Sequence, residues 1–392
     1  LLPASTLLYA EDVTLDDSFE QCREVLRSEA TEAGFSAKIT QDVINQLKPL
    51  ERVIKLDRKQ PEFTESFAGY VSKRLSPYRI DKGQQMLKAH GPLLAKLSKT
   101  YGVPERYIVA FWGLETNYGS HKGSIDTLNA LASLACDKRR SRYFTQELLN
   151  LFSLIDSQQV ELGQLQGSWA GAMGHMQFMP TTLKTYGVDG DNDGKLDIWG
   201  SLPDALTSAA NFLKSIGWNE GEIWGRSVEL PKDFAFEKVN FDTRYPLSHF
   251  KKLGITKRYN RPLPDYDTEA QLILPSGHSG PAFLVYGNFS VFMKWNYSQN
   301  YALAVGLLAD RFIGITHGLE DIDTSPHPFT NEHLKALQTE LLAKGYDIGT
   351  PDGIWGPKTR TALQNYQQKN GLIADGFPNE GVFKKLNIAL GQ

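Results

Sequence analysis

Residues 111–120 read FWGLETNYGS, which sets one carboxyl group, Glu115, among Phe111, Trp112, Leu114 and Tyr118. Charged groups are seldom left in apolar company unless they are paired or put to use. On a helix, Phe111 lies one turn before Glu115 and Tyr118 nearly one turn after it. Apolar surroundings disfavour the ionised form and raise a carboxyl pKa. A glutamic acid that keeps its proton near neutral pH can hand it to a leaving oxygen, the step that glycosidic cleavage requires. The same residues also fit a buried glutamate held by hydrogen bonds or an arginine, because structural pairs perturb pKa as well.

Two further stretches carry possible chemistry. VDGDNDGKLDIWG places Asp189, Asp191 and Asp193 at alternating positions, Gly194 sixth, the Lys195 carbonyl next and Asp197 ninth. This is the EF-hand order of hard oxygen ligands around a tight turn, except that Gly200 stands where the bidentate glutamate belongs. Ser201 and Asp204 form a capping-box-like pair before ALTSAANFLKSI. The loop reads either as a structural cage for calcium or sodium, or as a turn-rich helix entry. GSWAGAMGHMQFMP (167–180) permits close backbone approach and offers Ser168 and Gln177 as polar groups facing a sugar. Met173, Met176, Phe178 and Met179 read as packing. The stretch lacks the spacing of a nucleotide loop. The run KRRSR (138–142) reads by itself as a solvated charge cluster.

These groups need a scaffold. The chain has 392 residues, 41% of them hydrophobic, which is ample for more than one core. A net charge of −3 asks for neither nucleic acid nor an anionic membrane. No apolar run reaches 18 residues, so no transmembrane segment is expected. The opening LLPASTLLYAEDV resembles the end of a secretory signal or a short packing arm, and no cysteine follows closely enough for a lipid anchor. The only cysteines, Cys22 and Cys136, form one disulfide or stay as two thiols. The pattern predicts a mainly α fold. It has an N-terminal helical segment (1–60) and a catalytic-sized domain (61–320) with a small β-containing insertion (221–286) and the acid loop (189–204). A Pro-containing linker (321–332) and a compact three-helix segment (333–392) follow. In that last segment Leu334, Leu337 and Leu341 share a helix face, and Thr361, Ala362, Leu363, Tyr366 and Gln367 lie on a second helix. Phe383 and Leu386 lie on a third helix, and Trp355 and Tyr366 read as core. No repeat or low-complexity segment is expected.

Five motifs then occur in order: FWGLETNYGS, DKRRSRYF, GSWAGAMGHMQFMPTT, DGDNDGKLDIWGS and KWNYSQNYALAVGLLAD. Over about residues 70–312 they resemble the lytic transglycosylase B family, glycoside hydrolase family 103. The stretch LQTELLAKGYDIGTPDGIWGPKTRTALQNYQQKNGL, followed by ADG, is similar to three-helix peptidoglycan-binding modules. The resemblance implies a lysozyme-like helical catalytic domain acting on the glycan strands of bacterial peptidoglycan. It implies a soluble periplasmic protein and no cofactor for catalysis. Glu115 would be the single catalytic acid and base. Ser168, Gln177, Asn296, Tyr301, Arg139 and Arg140 would line the glycan cleft, with Tyr70 in GYVSKRLSPYRI as a further match. The arginines would meet peptide-stem carboxylates or the lactyl group, and Asn296 would orient the 2-acetamido group. Asp204 would complete the cation cage. The family usually carries tyrosine before that asparagine; here Trp295 keeps the ring and loses the hydroxyl. The implied reaction cuts the β-1,4 bond after N-acetylmuramic acid without water, the C6 hydroxyl attacking its own C1. Asp126 and Asp137, the nearest acids in sequence, read as surface or capping residues. Two alternatives are a hydrolytic muramidase, which needs water and usually a second carboxylate, and a non-enzymatic wall-binding scaffold. The module would act by tethering.

Overall fold

The computed structural model describes residues 15–58, 65–266, 268–319, 323–325 and 327–390. The signal-like start and parts of the boundaries expected near 60 and 321 lie outside them. The fold is mainly α-helical and divides into two compact units, each made of two separate stretches. One is Leu1–Gln60 with Gly119–Phe212; the other is Pro61–Tyr118 with Leu213–Gln392.

The first unit is organised on the helix Thr127–Cys136. Its sequence TLNALASLAC buries Ala130, Leu131, Leu134 and Ala135, and the Asp126 carboxylate caps its start by accepting from the Asn129 amide at 2.7 Å. Asp126 is thus a capping residue, as its sequence position predicts. The helix Ser141–Asp156 packs along it through Leu148, Leu151, Phe152 and Ile155. The helix Leu15–Glu32 also packs on it and is stapled there by the Cys22–Cys136 disulfide, which closes 114 residues with a Cα–Cα distance of 5.7 Å. Of the two readings of the cysteines, the bonded one holds. In the loop-entropy treatment such a closure costs the unfolded chain about 4–5 kcal/mol.

The second unit surrounds the helix Glu105–Thr116 with the helices Pro77–Ala89, Gly91–Tyr101 and Gln299–Phe312. The stretches SVELP, EAQLILPS and PAFLVYG do form strands: Gly225–Glu229, Glu269–Ile273 and Ala282–Val285. With the short strands Tyr245–Pro246 and Thr256–Lys257 they make a five-stranded antiparallel sheet. Leu272 stands opposite Leu284, and Val228 opposite Ala282, so one apolar face is continuous. The sheet is fastened to the Gln299–Phe312 helix at Asp310, which accepts from the Trp224 indole at 2.9 Å and bonds the His317 ring at 3.0 Å. At Gly306 of the same helix, a Cβ would come within 2.3 Å of the Trp224 ring, so only glycine allows this approach.

Three helices, Asn331–Ala343, Pro357–Lys369 and Glu380–Lys385, enclose a separate small core of Phe329, Leu334, Leu337, Leu341, Leu363, Tyr366 and Phe383. Phe329 and the N-cap Thr330, read from sequence as linker, are part of this module. Two buried glutamines hold its turns. Gln338 Oε1 accepts from the amides of Asp352 and Gly353 at 2.9 and 2.7 Å, and Gln367 Oε1 accepts from Gly376 N at 2.8 Å. Both glycines sit at positive φ, +76° and +66°, where a side chain would be strained. The module is bonded to the sheet region of its unit. Arg360 Nη1 meets Asp242 Oδ1 at 3.0 Å, and Gln364 Nε2 donates to the carbonyls of Phe236 and Val239 at 3.0 and 2.8 Å. The buried Asp375 accepts from His278 N at 2.9 Å and lies 2.6 Å from its Nδ1. The module is thus docked on the sheet region of its unit.

Candidate active site

Glu115 occupies the last turn of the helix Glu105–Thr116. That turn ends at Asn117 and Tyr118, both in the left-handed region with φ of 49° and 59°. Tyr118 is consequently not the next helical neighbour the periodicity suggests. Its ring folds back across Gly113, where a Cβ would sit 2.8 Å from it, and its hydroxyl donates to the Arg79 carbonyl at 2.6 Å. Phe111 does lie one turn before Glu115, and it is fully buried. Its ring stands 4.4 Å from that of Trp295 and 6.3 Å from that of Tyr301.

Those two residues are the partners of the carboxyl. Trp295 Nε1 donates to Glu115 Oε1 at 2.9 Å, and the Tyr301 hydroxyl donates to the same oxygen in a short hydrogen bond. Trp295 ends the helix Gly287–Trp295, and Tyr301 lies in the first turn of the next helix, where Ser298 caps the start. Burial lifts Glu115 above the ordinary carboxylate range, while the bonds from Tyr301 and then Trp295 pull the other way. No carboxylate among the described residues figures in that balance. Burial, and after it the charge of Glu115, holds the Tyr301 phenol well above its usual range, so it stays a donor. Tyr70 belongs to the same surroundings. Its ring lies under the Arg74 guanidinium at 3.5 Å; burial raises its pKa, Arg74 opposes the rise, and the charges of Glu65 and Glu115 add to it. Asn296 is exposed directly after Trp295, its Oδ1 accepting from Ser298 N at 3.0 Å. The unit thus brings Glu115, Tyr301 and Tyr70 together, with Asn296 on the adjoining turn. Trp295 is a true partner of the carboxyl, to which its N–H donates.

The remaining expected site residues belong to the first unit. Ser168 Oγ accepts from the amides of Ala170 and Ala172 at 3.3 and 3.0 Å and so shapes the glycine-rich loop. Gln177, at φ 50°, donates from Nε2 to the carbonyls of Lys122 and Gly174, each at 3.0 Å. Burial holds His175 in this loop down to about 4, so it is neutral near pH 7. Arg139 and Arg140 both clasp the buried Asp57, Arg139 at 3.1 Å from its Oδ2 and Arg140 closer still to Oδ1. Sequence reasoning missed Asp57. A lone buried aspartate 82 residues from its partner leaves no local signal. Asp137 pairs with Arg58 at 2.8 Å, in line with a surface role.

In the acid loop, ligand oxygens of Asp189, Asp191 and Asp204 lie within 4.8 Å of one another. Asp193 and Asp197 turn their carboxylates to backbone amides, Asp193 to Lys195 N at 2.9 Å and Asp197 to Gly200 N at 2.8 Å. Asp204 is buried, and its two oxygens accept from Gly190 N and Asp197 N, each at 2.8 Å, while Ser201 Oγ accepts from Asp204 N at 3.3 Å. Desolvation raises the Asp204 pKa, the amides of Asp197 and Gly190 pull it down, and the charge of Asp191 adds to the rise. Three converging carboxylates, one of them buried, fit a hard divalent cation better than they fit one another.

Residues 18–310 match the transglycosylase SLT domain, and residues 330–386 match a peptidoglycan binding domain. The chain is 31% identical over 287 residues to the membrane-bound lytic murein transglycosylase B of Escherichia coli (strain K12), covering 69% of this chain and 77% of that protein. Its fold matches SltB3 of Pseudomonas aeruginosa, solved in complex with NAG-anhNAM-pentapeptide, with a TM-score of 0.89 and 40% identity over 94% of this chain and 99% of the other. The Escherichia coli lytic transglycosylase Slt35, solved in complex with calcium, matches with a TM-score of 0.64 and 30% identity, over 77% and 94% of the two chains. The class is thereby defined as a helical enzyme of lysozyme-like fold with a helical wall-binding domain. The chain belongs to the transglycosylase SLT family and is a lytic transglycosylase. No described helix is long and apolar enough to cross a membrane.

Proposed function

We propose that Glu115 is the one acid and base with which this enzyme cleaves the bond between N-acetylmuramic acid and N-acetylglucosamine in peptidoglycan. The carboxyl gives its proton to the glycosidic oxygen as the C1–O bond breaks. The carboxylate left behind takes the proton of the muramyl C6 hydroxyl as that oxygen bonds to C1. The product is a 1,6-anhydro end, water is not consumed, and the carboxyl is restored. The substrate's acetamido group shields the cation, with Asn296 as its orienting partner. Ser168, Gln177, Tyr70, Arg139 and Arg140 are the further glycan contacts this reading assigns. Arg139 and Arg140 hold Asp57 with partly exposed side chains, which leaves them open to substrate. The observation that carries the proposal is a half-buried carboxyl with raised pKa, served by two donors and by no second carboxylate among the described residues. Hydrolysis by either usual route would require that second group.

Asp189, Asp191 and Asp204 would hold a structural calcium ion, which supplies charge neutralisation and stiffness there and no chemistry at Glu115. The disulfide and a wall substrate agree with work in the periplasm. The test is digestion of purified peptidoglycan followed by mass spectrometry. The wild-type chain should release fragments lacking one water relative to reducing ends. Glu115→Gln should lower turnover at least a thousandfold while wall binding stays near normal. Undiminished turnover by that variant, or reducing-end products from the wild type, would overturn the reading.

A further inference from the structure

We infer that Trp295 and Tyr301 divide the labour of the two Glu115 oxygens: Oε1 is a permanent acceptor, and Oε2 is the atom that carries, gives and regains the proton. This rests on the role proposed for Glu115, but the geometry behind it is independent of that role. Among the described residues, both donors to Glu115 reach the same oxygen, Oε1. An indole N–H can donate and can never accept. A proton placed on Oε1 would therefore face the Trp295 N–H at 2.9 Å with no way for the indole to turn its polarity. The indole is also held in place, because its ring packs on the buried Phe111 ring at 4.4 Å and the Asn296 amide behind it bonds to the Phe292 carbonyl at 3.0 Å. In the neutral acid the proton sits on Oε2. In the first half-reaction it moves from Oε2 to the leaving oxygen as that oxygen keeps the electron pair of the broken C1–O bond. In the second, the C6 O–H proton returns to Oε2 as the O6–C1 bond forms. Throughout, the two donors on Oε1 absorb the charge that appears when Oε2 is bare. Trp295 is thus a positioning residue. It sets which oxygen reacts and how readily the carboxylate forms.

The test compares wild type with Trp295→Phe, which keeps the packing ring and removes the donor, and with Trp295→Tyr, which offers a hydroxyl. Loss of one hydrogen bond to a charged acceptor should lower kcat about tenfold in Trp295→Phe, with KM within twofold. The limb of the pH–rate profile on the alkaline side should move to higher pH, because the carboxylate has lost support. Trp295→Tyr should recover most of kcat. Carboxyl-carbon NMR of Glu115 in 13C-glutamate-labelled protein reads the same shift without turnover, and folding of each variant is confirmed by its thermal transition. An unmoved Glu115 titration in Trp295→Phe would overturn the inference, as would a raised KM at unchanged kcat, which would make the indole a glycan contact. Failure of the underlying role shows separately, as retained turnover in Glu115→Gln.

Discussion

A carboxyl raised in pKa by its surroundings has a cost that does not depend on substrate. Where folding raises the pKa of Glu115, the folded state holds its proton more tightly than the unfolded state. The stability this contributes is complete below the ordinary glutamate value, near 4.5, and is lost as pH rises through the folded value. Glu115→Gln cannot ionise and escapes that loss. Its thermal midpoint should exceed that of the wild type at pH 7.5, and the difference should vanish at pH 4, as calorimetry at the two pH values would show. Equal differences at both would mean that the gain has another source. The glutamate itself was legible in FWGLET, because a charge among aromatics is a local anomaly. Its two donors were not, since Trp295 and Tyr301 lie 180 and 186 residues away and meet it only through the packing of helices. The loss of the expected tyrosine hydroxyl was visible at Trp295; that the indole N–H reaches Glu115 was not.

Elements set these residues in place, and here sequence patterns worked where they were periodic. The amphipathic helices and the strands SVELP, EAQLILPS and PAFLVYG appear where hydrophobic spacing puts them. Turn chemistry was harder to read, because a turn is often held by a side chain far from it. Glutamine carries no core signal by residue type, yet Gln338 and Gln367 are each a buried brace for an Asp-Gly turn. The acid loop lies between these cases. Its Asp-x-Asp spacing was plain, but only Asp189, Asp191 and Asp204 bring ligand oxygens together among the described residues, while Asp193 and Asp197 accept from Lys195 N and Gly200 N. Calcium at a hundredfold excess over its dissociation constant should stabilise the protein by about 2.7 kcal/mol. Differential scanning fluorimetry with calcium and with a chelator should show a shift of a few degrees in the wild type. Asp204→Asn should abolish it. A chelator without effect on the transition would remove the ion from the account.

For the whole molecule, the C-terminal module is the feature that changes expectation most. A binding module raises local substrate concentration through its attachment, and here the attachment is stiffened by Arg360–Asp242, Gln364 and Asp375–His278, which bond the module to the sheet region. Arg360→Glu sets two like charges together at a largely covered contact. It should speed protease cleavage around residues 319–330 several-fold and leave release of products from short soluble glycans within twofold. Cleavage rates equal to wild type would show that the ion pair does not hold the module. Composition suggested a linker at 321–332, and its polar, proline-containing texture is real, but texture cannot reveal that Phe329 closes a core or that Gln364 finds two carbonyls more than a hundred residues upstream. One last consequence follows from the way the chain is shared out. It leaves the first unit near Gln60, builds part of the second, and crosses back between Tyr118 and Gly119, three residues beyond Glu115. Neither unit is a continuous piece of gene. During synthesis the amino-terminal helix must wait for Cys136 to emerge before its bond can form, and the segment bearing Glu115 must wait for Trp295 and Tyr301 before its donors exist. Truncations at either crossing should therefore yield fragments that cannot mature on their own, and engineering by simple dissection is closed to this enzyme.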